Sequence, residues 1–374
     1  DMMGSIMSYF KKNSLFFGFT GTPLFDESKV LGKIGDNNKR IRTTEHLFGP
    51  CLHEYTIDEA IADNNVLGFH VEYINTGEFK TYDSLREKVL EEILLESEEF
   101  SHEKIKQLVN NWDELKVETE AKDRKILIYQ DEVHIPRVVS DIIQNWKKQS
   151  HEKLFNAILT VAEKKRAIAY YLEFKKQLQE KNAELNIAVT FSPAKENQKE
   201  FLEEQEFIAK AYEDYATFAG ISFNINDASY DESVYYDDLT ERGTRGGSGR
   251  NPKNIDLIIV AERLLTGYDS KYLNTLYVDR ELELQKLIQA YSRTNRIYGE
   301  YKDFGSVINF KFPRISEYNV NEALKLYGSG GESSSVIMRY YDEAVRQLHT
   351  DMIDLRTVLK DPTRWGAFCR DEEM

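Results

Sequence analysis

Residues 255–298 read IDLIIVAERLLTGYDSKYLNTLYVDRELELQKLIQAYSRTNRIY. Two short apolar runs, 255–261 and 274–279, are bounded by turn residues and fit buried strands. The segment 281–293 that follows them has the spacing of a helix. On a helix, Gln289, Arg293 and Arg296 stand at i, i+4 and i+7 and share one face. Two guanidinium forks beside a glutamine suit a polyphosphate, because arginine stays charged and matches phosphate oxygens in pairs. The segment taken alone also reads as a solvated helix face with a salt bridge or two.

The same grammar extends on both sides. FNAILTVA (155–162), LNIAVTFS (185–192) and GSVINF (305–310) are further apolar runs. Helical stretches at 164–181 and 200–220 alternate with them. Such alternation predicts an α/β fold, a parallel sheet covered on both faces. Upstream, SLFFGFTGTPLF (14–25) predicts a short buried strand and a turn. Residues 55–74 predict a helix, a turn at Asn64-Asn65 and a strand. Residues 80–125 are charged and helix-prone, which predicts a solvent-facing insertion or a hinge region. A helix is expected at 134–150, a loop at 241–254, and helices after 318.

Two turns carry candidate chemistry. In TGTP, Gly21 permits a sharp bend, and the Thr20 and Thr22 hydroxyls can hydrogen-bond across a domain interface. A purely structural turn fits equally well. In TGYD, a strand runs out into Thr266, Gly267 and Asp269, and open α/β sheets place their sites at the carboxyl ends of strands. Thr266 and the Gly267 amide could hold a backbone phosphate. Asp269 could face a nucleotide or order the loop, and a β-turn with a capping aspartate remains the alternative.

Bulk properties narrow the classes. A chain of 374 residues predicts two or three domains. No run approaches the length needed to span a bilayer. The two cysteines, Cys51 and Cys369, point to a reducing, cytoplasmic setting rather than a disulfide scaffold. His46, Cys51 and His53 lack a fourth ligand at finger-like spacing, so no metal site is expected. A net charge of −15 argues against a generally basic nucleic-acid binder, though a groove can be locally positive. No G-x-x-x-x-G-K-[ST] occurs. The acidic string at Asp131-Glu132-Val133-His134 follows TGTP by over a hundred positions, so it reads as a loop or helix cap rather than a magnesium box.

A strand ending in TGYD, a second strand and then Q-x-x-x-R-x-x-R resembles the second motor domain of superfamily 2 helicases and translocases. The run LLTGYDSKYLNTLYVDRELELQKLIQAYSRTNRIYGEYKDFGSVINF resembles the R (motor and nuclease) subunit of type I restriction enzymes. Tyr268 stands for the usual Phe and Arg280 for the usual Lys. FFGFTGTPLF and YTIDEAIADNNVLGFHVEY resemble that family too, and the likeness covers most of residues 10–318.

The resemblance implies RecA-like motor architecture. Residues 1–70 would close a first motor domain and 71–150 form a connector. Residues 151–318 would be the second motor domain, and 319–374 would begin a helical domain. Arg293 and Arg296 would be arginine fingers, and Gln289 would contact phosphates or the attacking water. Thr266 and Gly267 would touch the DNA backbone, Asp269 would link that loop to the nucleotide, and Thr20 and Thr22 would couple hydrolysis to domain movement. ATP and Mg²⁺ would be bound mainly outside this chain. On that reading the nuclease domain, the ATP-gripping loop and the acidic box precede Asp1. The implied partners are double-stranded DNA and the modification and specificity subunits, with no membrane. The implied activity is ATP-driven DNA translocation leading to cleavage, with this chain alone inactive. The alternatives are another superfamily 2 motor, of a type III restriction or antiviral-defence system, and a non-enzymatic α/β interaction domain.

Overall fold

The computed structural model describes residues 6, 9–10, 14–26, 33–34, 40–98, 101–191, 200–221, 228–245, 253–261, 264, 267–328, 336–338 and 341–358. Six strands form one sheet: β1 (Phe69–Tyr73), β2 (Asn156–Val161), β3 (Ile187–Phe191), β4 (Leu257–Ala261), β5 (Leu273–Asp279) and β6 (Gly305–Asn309). Their order is β1-β6-β5-β2-β4-β3, and every neighbouring pair is parallel. The helices are α1 (Thr44–Phe48), α2 (Ile57–Ala62), α3 (Tyr82–Leu95), α4 (His102–Asn110), α5 (Glu114–Asp123) and α6 (Asp131–Gln149), followed by α7 (Lys164–Glu180), α8 (Glu200–Ala219), α9 (Ala228–Gly243), α10 (Leu284–Tyr291), α11 (Pro313–Tyr327) and α12 (Tyr341–Val358).

The continuous apolar strands have a simple cause: both sheet faces are covered, so both sets of alternating side chains must be apolar. Ile158, Ile258, Leu276 and Val307 pack on one face with Leu239 of α9, Leu287 of α10 and Leu324 of α11. Leu159, Ile259, Tyr277 and Ile308 pack on the other with Val139 and Trp146 of α6 and Phe174 of α7. The architecture is α/β, a parallel sheet covered on both faces, as expected.

Several expectations are corrected. The strand at Phe69–Tyr73, placed above at the 1–70/71–150 boundary, pairs residue for residue with β6 and is an edge strand of the six-stranded sheet. Its outer edge is met by residues 336–338, through Phe69 N to Val336 O and Met338 N to Phe69 O. Residues 80–125 are not merely solvent-facing. Leu85, Val89, Val117, Ala121 and Leu127 give α3–α5 a small core of their own. Helix α9 had no clear sequence signal. SLFFGF forms no strand: Leu15, Phe17 and Phe19 are exposed. A strand needs a neighbour for its ladder and cover for its apolar face, and among the described residues this segment has neither.

The carboxyl end of β5 holds a buried ionic cluster. Asp279 receives hydrogen bonds from His134 Nε2 (2.7 Å), Tyr170 Oη (2.8 Å) and Arg166 Nη2 (2.7 Å), with Lys311 Nζ at 3.1 Å. Burial pushes its pKa up, but the His134 hydrogen bond and the Lys311 and Arg166 charges outweigh that and hold it well below the usual carboxylate range. Asp131 opens α6 and pairs with Arg166. Asp131 and His134 thus have structural jobs in the ion-pair cluster.

Lys302 is buried with its Nζ 2.7 Å from Leu273 O. Burial, and then the charge of Arg296, lower its pKa to about 7. The unfolded chain keeps this amine protonated up to about pH 10.4. Between these values the unfolded state binds the extra proton, so stability rises with pH, and below them the burial penalty is fully present. Lys302→Met is expected to stabilise the chain near neutrality by about 1–3 kcal/mol. It should also flatten this rise. Urea unfolding at pH 6 and pH 9 reads both effects, and a variant less stable than the parent at both pH values overturns the prediction.

Candidate functional site

The TGTP turn lies against helix α10. Thr22 is buried, and its Oγ1 accepts a hydrogen bond from Gln289 Nε2 at 2.8 Å. Thr20 Oγ1 accepts from Thr22 N at 3.1 Å and closes the turn, while Thr20 and Gly21 face solvent. A side chain at Gly21 would meet nothing within 4 Å. Gln289 and Thr22 are therefore brought together, 267 positions apart in sequence.

The arginines sit differently from the helical expectation. Helix α10 ends at Tyr291, so Gln289 lies on it while Arg293 and Arg296 lie in the turn beyond. The break has a local cause. Thr294 Oγ1 donates to Tyr291 O, the carbonyl that residue 295 would use in a continuing helix. Asn295 O is instead tied to Leu67 N, just before β1. The turn still keeps the arginines near Gln289: Arg293 Nε donates to Gln289 O at 3.1 Å.

The TGYD loop holds both guanidinium groups through consecutive residues. Arg293 Nη1 donates to Tyr268 O at 2.8 Å, and Arg296 Nε pairs with Asp269 Oδ1 at 2.7 Å. Gly267 has φ +81°, a left-handed conformation that L side chains rarely adopt, and its position is open to solvent. The Tyr268 ring is buried beside Gly243. Thr266 lies outside the described residues.

Arg293 is half-buried and meets carbonyls rather than a carboxylate among the described residues. Burial and then the like charge of Arg296 lower its pKa, with Asp269 partly offsetting them. Two neighbouring cations with one exposed carboxylate between them form a site that an anion would complete.

Sequence reasoning missed two residues here. Gln285 Nε2 donates to Thr22 O and Thr22 Oγ1, both at 3.2 Å. Tyr327 Oη donates to Pro23 O at 3.0 Å. Extending the i, i+4 face back from Gln289 would have found Gln285. Tyr327 had no local signal. A cavity of about 1020 Å³ opens at the other end of the sheet, by Asn186 and Asp256 ahead of β3 and β4. It contains none of the candidate residues, and its Lys175–Asp214 pair is already made. Among the described residues no metal-ligand cluster occurs, and no helix is long and apolar enough to cross a membrane.

Residues 153–312 match the family described as type I restriction enzyme subunit R domain 3, and residues 1–104 match SWI2/SNF2 ATPase. The endonuclease subunit of type I restriction enzyme SsaAORF53P from Staphylococcus saprophyticus is 31% identical over 97% of this chain and 34% of that protein. The SauCOLORF180P endonuclease subunit of Staphylococcus aureus strain COL is 30% identical over 100% of the chain and 35% of that protein. Among solved structures, an HsdR subunit fragment from Vibrio vulnificus YJ016 overlaps 86% of this chain and 44% of its own, with 12% identity and a TM-score of 0.46. The chain spans about a third of the length of the curated relatives it matches. With its whole length aligned to these subunits and residues 153–312 matching their domain 3, the chain belongs to the type I restriction enzyme R subunit family.

Proposed function

We propose that this chain supplies the arginine-bearing half of a composite ATP site in a type I restriction motor. The observation that carries the reading is the convergence of Thr22, Gln289, Arg293 and Arg296 with the TGYD loop. Arg293 and Arg296 would meet the terminal phosphate of ATP, and Gln289 would orient the phosphate or the attacking water. Asp269 would hold Arg296 ready, while Gly267 and Thr266 would lie along the DNA backbone. Thr20, Gly21 and Thr22 would couple the two motor domains. Exposed Leu15, Phe17 and Phe19 would join the sheet of the first motor domain. The paired-cation electrostatics described above fit a triphosphate, and Mg²⁺ would be held by residues outside this chain. ATP supplies the free energy, and the whole protein would move double-stranded DNA together with modification and specificity subunits until a nuclease domain cuts it. Cys51 is exposed and free among the described residues, which fits a cytoplasmic setting.

The test is ATP hydrolysis with and without duplex DNA, for this chain and for the full-length subunit that contains it. The full-length protein is expected to show DNA-stimulated hydrolysis, and the chain alone none. A full-length protein that binds the other subunits but hydrolyses no ATP would instead favour an interaction scaffold.

A further inference from the structure

We infer that Gln285 and Tyr327 form a latch on the Thr22-Pro23 turn that passes its movement to helix α11, and so sets how much DNA moves per ATP split. The inference rests on the motor reading above. Gln285 and Gln289, one helical turn apart on α10, together donate three hydrogen bonds to one threonine. The two N–H groups of Gln285 Nε2 match two acceptors of Thr22, its carbonyl and its hydroxyl oxygen. Tyr327, the last residue of α11, takes the next carbonyl, Pro23 O. Its ring also meets Phe25 edge-on, with centroids 5.5 Å apart. The turn is therefore gripped from both α10 and α11 through three acceptors on two consecutive residues.

Neither residue contacts Arg293, Arg296 or Asp269 among the described hydrogen bonds, so both are positioning residues. Helix α11 runs from this grip to the unit built by α3–α5, a span of roughly 22 Å for its length. At its far end Arg314 pairs with Glu114, and Ile315 N donates to Glu118, both on α5. A rigid helix anchored at both ends can carry a small displacement of the turn to that unit, and coupling of this kind travels through rigid secondary elements. The buried grip on Thr22 fixes the turn relative to the lever. Without it the turn could move while the lever stays still.

The experiment uses the full-length subunit assembled with its modification and specificity partners. Gln285→Leu removes the donor at similar volume, and Tyr327→Phe removes one hydroxyl while keeping the ring contact. ATP consumption and DNA movement are measured together, with melting temperatures to confirm folding. Each variant is expected to split ATP within about twofold of the parent while moving at least about fivefold less DNA per ATP, the scale of the one bond lost in Tyr327→Phe and the two lost in Gln285→Leu. In a Thr22→Val background, which removes the hydroxyl acceptor and keeps the Thr22 carbonyl, adding Gln285→Leu should lower the ratio further by less than it does in the parent. The latch is overturned if both rates fall together, if the ratio is unchanged, or if the two substitutions act additively. A parent enzyme that neither hydrolyses ATP on DNA nor moves it sinks the motor reading itself, an outcome distinct from a coupled motor whose variants stay coupled.

Discussion

Arg293→Ala in the full-length subunit is expected to lower DNA-stimulated ATP turnover by about 10³-fold or more, the scale of an arginine finger in phosphoryl transfer. The loss should fall on kcat, with little change in KM for ATP, because such a group acts on charge that develops in the transition state. Arg293→Lys should not restore the rate. A guanidinium presents paired donors in one plane to phosphate oxygens, and an ammonium cannot reproduce that fork. Steady-state kinetics on purified, DNA-bound enzyme checks the point. A variant that keeps more than about a tenth of the parental kcat removes Arg293 from the catalytic role.

Asp279→Ala is expected to cost about 3–5 kcal/mol of folding stability, because it strands Arg166, Lys311 and His134 around a buried vacancy. Asp279 is fully buried and joins β5 to α6, α7 and the end of β6, so the loss should be global rather than local. Its pH dependence has a definite sign. The folded pKa lies below the unfolded value of about 3.9, so the carboxylate's contribution is fully present above that value and is lost as pH falls from there through the folded pKa. Urea unfolding of parent and variant should therefore differ widely at pH 7 and converge in acid. A parent and variant of equal stability at pH 7 would contradict it.

Much of the lobe was legible because burial on both sheet faces forces unbroken apolar strands; 156–161, 257–261 and 273–279 fall within or beside the expected runs. Helix α9 was not, because it hides its buried face in tyrosine and acid. Tyr235 and Leu239 are its core contacts, and Tyr235 Oη donates to Val189 O. A hydropathy pattern does not see a tyrosine that is buried with its hydroxyl satisfied. The opposite error occurred at SLFFGF, where apolar sequence alone predicts burial but burial depends on a partner surface. At the site, residue identities were readable while backbone shape was not. The i, i+4, i+7 spacing predicts one helix, yet Thr294 captures the Tyr291 carbonyl and bends the arginines into a turn. Tyr327 joins the turn from 304 residues away, a separation no local pattern encodes.

The decisive measurement is a structure of the full-length subunit on duplex DNA with ADP and a γ-phosphate transition-state mimic. If this chain carries half of the ATP site, the Arg293 and Arg296 guanidinium groups leave Tyr268 O and Asp269 and lie within about 3 Å of the mimic. Should both arginines keep their present partners while the nucleotide sits complete within another domain, the two-halves reading is wrong.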